Sequence, residues 1–142
     1  MRKALTMRSI ALLAAFTTVS CGVRWGDIVL IPDNFEGWVT IKYEIPEAAP
    51  LKREGLKTLV QVPASGEVRT SSTRATGYGR DEYYLVAADG RRRRIPNEFG
   101  GCPGQSCAQR FTFFSSPARV TVFFVGRAEN MPRYPNPVEG MY

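Results

Sequence analysis

Arg91, Arg92, Arg93 and Arg94 follow an Asp89-Gly90 pair, and two cysteines close the segment C-P-G-Q-S-C at Cys102 and Cys107. A third cysteine, Cys21, and the acidic pair Asp81-Glu82 complete the groups that could do chemistry. The chain contains no histidine. That removes Ser-His-Asp and Cys-His nucleophile systems, His-ligated zinc and the usual base near neutral pH. Cys102 and Cys107 cannot supply a four-thiolate metal site by themselves. Their spacing differs from the thioredoxin-type motif and fits a disulfide-closed loop. Asp81 and Glu82 would point to opposite faces of a strand and could converge only in a loop. No catalytic residue, metal ligand or cofactor site is assigned. The expectation is a protein that is not an enzyme, with a carboxylate-dependent hydrolase or lyase as the remaining catalytic reading.

The arginines admit a binding reading. Asp89-Gly90 suits a two-residue type I′ hairpin turn. In that register Arg91 and Arg93 share a face with Tyr84 and Val86, while Arg92 and Arg94 share one with Tyr83, Leu85 and Ala87. Two arginines about 6.6 Å apart along a strand can clamp a phosphate or carboxylate. Arg92 and Arg94, with Tyr83 to stack on a guanidinium or sugar and Trp38 as a platform, are the candidate ligand-binding residues. The ligand would be an anionic phospholipid, lipid A or glycan. The competing readings are a charged edge strand that deters edge-to-edge pairing, and a Trp38 lying on the strand surface half covered by a loop.

The elements that must position these residues are short strands. Residues 28–31 form a continuous apolar run, as in a strand covered on both faces, and Pro32 ends it. From Trp38 the pattern alternates: Val39, Ile41, Tyr43 and Ile45 face the core. Residues 57–62 and 67–71 read as a strand and its returning partner about a turn at 63–66. Residues 83–88 and 91–95 flank the Asp89-Gly90 turn. Residues 96–109 read as a Gly-rich loop, and 110–115 with 119–125 as a last hairpin. The final strand is apolar on nearly both faces, which places it centrally in a sheet. No segment after the first twenty residues sustains a helical period. The pattern predicts an all-β chain with a single β-sandwich, immunoglobulin-like or transthyretin-like, of about seven or eight strands.

The start of the chain reads as a targeting segment. Arg2, Lys3 and Arg8 precede an apolar stretch at 10–16, and small residues precede Cys21. The stretch is well short of the roughly 20 residues a permanent membrane helix needs. The segment holds three cations and no acids, so the +6 charge of the full chain falls to +3 after its removal. That balance does not call for a nucleic-acid partner, and export argues against one. The predicted layout is a signal peptide at 1–20, a tether at 21–26, the sandwich at 27–127 and a proline-rich tail at 128–142, extended or disordered from Met131.

Two resemblances follow. Thr18-Val19-Ser20-Cys21 resembles the lipobox of bacterial lipoproteins, with Thr18 standing where Leu is usual. It implies that Cys21 carries the lipid and attaches the chain to the membrane, and the odd cysteine count agrees, leaving Cys102 and Cys107 to pair. Gly22, where Asp would direct inner-membrane retention, leans to the outer membrane facing the periplasm in a Gram-negative cell. The alternative is a soluble secreted or periplasmic protein. The run I-P-x-x-F-x-G-W-V at 31–39, with Val62-Pro63, Ser65-Gly66-Glu67-Val68-Arg69-Thr70, Tyr83-Tyr84, Gly90-Arg91 and Ile95-Pro96, resembles an uncharacterised bacterial family of small secreted proteins. That resemblance implies an exported all-β domain and brings no catalytic residue. The expected partners are the membrane, through Cys21, and an unknown envelope protein or an anionic glycan or lipid.

Overall fold

The apolar run at 28–31 is uninterrupted because its strand is buried on both faces. This strand, β1 (Asp27–Pro32), has parallel neighbours on either side. The computed structural model describes residues 24–77, 79–99, 102, 104–110 and 119–137. Within them the chain is an all-β sandwich of two five-stranded mixed sheets. The first sheet holds, in spatial order, β3 (Lys52–Glu54), β4 (Lys57–Gln61), β1, β6 (Glu82–Val86) and β7 (Arg92–Ile95). The second holds β5 (Glu67–Arg69), β2 (Gly37–Lys42), β10 (Val120–Gly126), β9 (Cys107–Arg110) and β8 (Asn97–Phe99). A 3₁₀ helix, Ala128–Arg133, follows β10.

The core lies between the sheets. Val29 and Ile31 of β1, Val60 of β4, and Tyr83 and Leu85 of β6 meet Val39 and Ile41 of β2, Val68 of β5, and Phe123 and Val125 of β10. Every second residue of each strand faces inward, as the pleat requires. The Phe123 ring meets the Tyr83 ring edge-on, with centroids 5.3 Å apart. β10 is the middle strand of its sheet, the place its two apolar faces demand.

Several expectations change. The strand at 67–69 does not return on β4. It crosses to the other sheet and pairs parallel with β2, Thr40 opposite Glu67. Val62 and Val68, on either side of the crossing, are both buried in the core, so hydrophobic burial is satisfied without a hairpin. The sandwich has ten strands because β3 and β8 are three-residue edge pieces. β3, all exposed and charged, carries no alternation to read. β8 and β9 occupy the segment that composition assigns to a loop. β9 pairs antiparallel with β10, Phe123 opposite Arg110; the strand expected at 110–115 lies, beyond Arg110, outside the described residues. The start of the tail is neither extended nor disordered. It forms the 3₁₀ helix with Pro132 inside, and the phenol of Tyr134 and the amide of Asn130 both donate to the Glu36 carboxylate.

Phe123 is 1 % exposed and bridges both sheets. Phe123→Ala should cost about 3–5 kcal/mol of stability, the usual range for emptying such a site. Urea unfolding measures it, and a loss under about 1 kcal/mol would contradict an intersheet core closed by this ring.

Candidate functional site

The arginine hairpin forms, but in a different register. The Ala87 N–H donates to the Arg91 carbonyl at 2.9 Å, and the Gly90 N–H donates to Ala87 at 2.8 Å. The loop is therefore Ala88-Asp89-Gly90, three residues, with positive φ (85°) at Gly90 and none at Asp89. This is the pattern of a type I turn closed by a left-handed glycine. Adding one loop residue shifts the pairing by one and exchanges the faces. Arg92 lies opposite Val86 and Arg94 opposite Tyr84. Tyr83, expected beside them, turns inward and is 5 % exposed. It cannot stack on a ligand.

Arg92 is already engaged. Its two terminal nitrogens hold both oxygens of Glu54 at 2.8 and 2.9 Å. This hydrogen bond draws the Glu54 carboxyl below its usual value and raises Arg92 further. Glu54 is on β3 and Arg92 on β7, the two opposite edges of one sheet. Only a strongly twisted, curled sheet lets such corners meet. Beneath them Lys57 of β4 pairs with Glu82 of β6 across β1, and Tyr84 donates to Glu82 at 2.7 Å. The Glu82 carboxyl is lowered by these two partners, and the Tyr84 phenol is raised by the same bond. These long side chains cover the outer face of β1, where Ile28 and Leu30 are buried.

Trp38 is on the other sheet, so the structure does not join it to the arginines. Its indole N–H donates to the Tyr134 carbonyl at 3.3 Å, and its ring packs edge-on against Phe124 at 5.4 Å. The Tyr134 ring also leans on Phe124, at 5.5 Å. Trp38 is thus part of the seam that holds the tail. Cys102 and Cys107 are joined by a disulfide, with Cα atoms 6.0 Å apart. It closes the short connection between the parallel strands β8 and β9. Cys21 lies outside the described residues. No group of His, Cys, Asp or Glu among the described residues could hold a metal.

A concave site lies instead at the start of β1. It is a cleft of about 240 Å³ lined by Asp27, Tyr43, Leu51, Arg53, Thr58, Ser72, Thr73 and Ala75. Arg24 sits beside it and ties two acids together. Its guanidinium donates to Asp27 Oδ2 at 2.8 Å and to Asp81 Oδ1, and Asp81 Oδ1 also accepts the Asp27 N–H at 2.9 Å. All three side chains are under 20 % exposed. Burial raises the Asp27 carboxyl, opposed by Arg24, whose charge and hydrogen bond restrain the shift. Burial likewise raises the Tyr43 phenol, opposed by a hydrogen bond to Thr121. Gly26 (φ +88°) lets the chain pass here, because a Cβ would collide with the Arg80 carbonyl. Sequence reading missed this cluster. Asp81 was weighed with Glu82, its chain neighbour, whereas its partners Arg24 and Asp27 lie 57 and 54 residues away.

Arg24 offers a test with a definite pH sign. Asp27 holds its proton more tightly in the native chain than in the unfolded one. Its contribution to stability therefore falls as pH rises above the ordinary carboxyl range. Removing Arg24 removes the cation that restrains this. Arg24→Ala should cost about 3 kcal/mol at neutral pH and distinctly less near about pH 4, in the ordinary carboxyl range, because the raised Asp27 carboxyl gives up its charge more readily there. Equal losses at both pH values in urea unfolding would contradict the assignment.

Comparison with known proteins places these features. A solved structure from Bacillus anthracis, described as a candidate lipoprotein, aligns with a TM-score of 0.52 at 26 % identity, over 75 % of this chain and 71 % of that one. No curated protein matches the chain. The model of a family of unknown function, DUF6843, matches residues 24–116, from the Arg24 staple through all but the last strand. That is about two-thirds of the sequence, and the chain belongs to this family.

Proposed function

We propose that the chain is a lipid-anchored cell-envelope protein whose sandwich is a non-enzymatic binding or assembly module. The observation that carries this is the likeness to the Bacillus anthracis candidate lipoprotein, joined to a Cys21 placed directly after a signal-like segment. The anchored face is the outer membrane toward the periplasm if the cell is Gram-negative, by the Gly22 reading. Two features support a role without catalysis. The cleft, about 240 Å³, is smaller than the roughly 300–1,000 Å³ of most small-molecule sites. The acid that lines it, Asp27, shares the Arg24 guanidinium with Asp81 and is held in structural bonds. A general base needs a carboxylate free to take a proton from a substrate. Growth with a labelled fatty acid tests the anchor. Label should enter the wild-type chain and be lost in Cys21→Ser, and an unlabelled wild type contradicts the proposal.

A second reading, an anionic envelope ligand at the hairpin, is favoured by Arg93 and Arg94. Both are exposed and form no salt bridge among the described residues. Since Glu54 already holds Arg92, Arg94 beside Tyr84 is the residue on that face to test. With heparin as an anionic probe, Arg94→Ala should weaken binding about fivefold, the effect of roughly 1 kcal/mol per surface cation. Arg92→Ala should do less. Equal effects of the two variants, or binding indifferent to salt, contradict this reading.

A further inference from the structure

Among the described residues the exposed large hydrophobic side chains are Trp25, 60 % exposed, and Leu56, 58 % exposed. They are far apart in the chain but neighbours in the fold. β1 and β4 run parallel with Asp27 opposite Thr58, so Trp25 and Leu56 each stand two residues before that pair. The Thr58 N–H donates to the Gly26 carbonyl at 3.4 Å, which carries the pairing to this end. Both side chains therefore sit at the edge where the first sheet begins.

The charges around them are mainly positive. Arg53 is exposed and donates to the Leu56 carbonyl at 3.0 Å. Arg80 is exposed, and its carbonyl accepts from Lys57 at 3.1 Å. The nearby acids are taken: Asp27 and Asp81 by Arg24, Glu54 by Arg92, and Glu82 by Lys57. Arg24 fixes the chain at this point, and Cys21 is three residues earlier. Three extended residues span at most about 11 Å. Whatever holds Cys21 is thus held within that reach of Arg24, with Trp25 next in the chain.

We propose that this end of the sandwich docks on the bilayer that holds the anchor. Trp25 and Leu56 enter the headgroup region, and Arg53 and Arg80 face lipid phosphate. The inference rests on the proposed acylation of Cys21. Tryptophan suits the place, since its ring is apolar and its N–H can be hydrated at the membrane interface. One Trp and one Leu would bind a free bilayer weakly. Next to an anchor the contact is intramolecular, and modest surface is enough. The Asp89-Gly90 turn lies beyond the far end of β6, while Arg92 reaches back to Glu54 beside Arg53.

The test uses the full chain, purified from bacterial membranes and reconstituted into vesicles of phosphatidylethanolamine and phosphatidylglycerol. One set of vesicles carries brominated acyl chains, which quench tryptophan at close range. Trp25 is one of two tryptophans, so wild-type emission should fall by about half in the brominated set. Trp25→Phe, which keeps Trp38, should lose little. Equal emission in both sets, or quenching of Trp25→Phe as strong as that of wild type, overturns the docking. Fatty-acid label is read on the same preparations. Label without quenching keeps the anchor and overturns the docking face, whereas quenching without label overturns the anchor and supports the face.

Discussion

The fold depends on β1 having a parallel neighbour on each side. A tight turn joins antiparallel strands, but a parallel neighbour can be reached only by leaving the sheet and coming back. The chain leaves after β1 and lays down β2 in the opposite sheet, then returns for β3 and β4. It leaves again and lays down β5 beside β2, then returns for β6 and β7. Each crossing adds to both sheets, so their inner faces grow together and bury one another. Among the described residues no third sheet lies over the outer face of β1. There the curl of the first sheet, fastened by Glu54 and Arg92 and by Lys57 and Glu82, covers Ile28 and Leu30.

What the sequence made legible followed from local pattern. The double-sided burial of β1, the alternation of β2, the central place of β10 and the presence of the arginine hairpin could all be read from apolar spacing and turn residues. Pairing partners could not. Val68 is equally well buried beside β4 or beside β2, and nothing near it distinguishes the two. The hairpin register turned on Ala88, which carries no turn preference and still entered the loop. That one residue moved Tyr83 into the core and put Tyr84 beside Arg94. The tail escaped notice because the anchor point for Asn130 and Tyr134 is Glu36, almost a hundred residues earlier.

The two ends of the sandwich differ in chemistry. At the start of β1 lie the Arg24 staple, the cleft, and the exposed Trp25 and Leu56. Beyond the other end of that sheet is the Asp89-Gly90 turn, with Arg93 and Arg94 exposed on the strand after it and Arg92 reaching back to Glu54. Under the proposed acylation of Cys21, the first end is the one nearer the anchor. The staple matters here, because it carries structural order to within three residues of Cys21. A mobile linker would let the domain tumble, and neither end would have a fixed orientation.

Amide hydrogen exchange on the purified chain examines that order most directly. The Asp27 N–H is bonded to Asp81, and β1 behind it lies between two strands. The account predicts that Asp27 and the amides of 28–31 exchange together, in the slow class set by global unfolding. Exchange of Asp27 at the rate of an unstructured peptide, with only the later β1 amides protected, would contradict it.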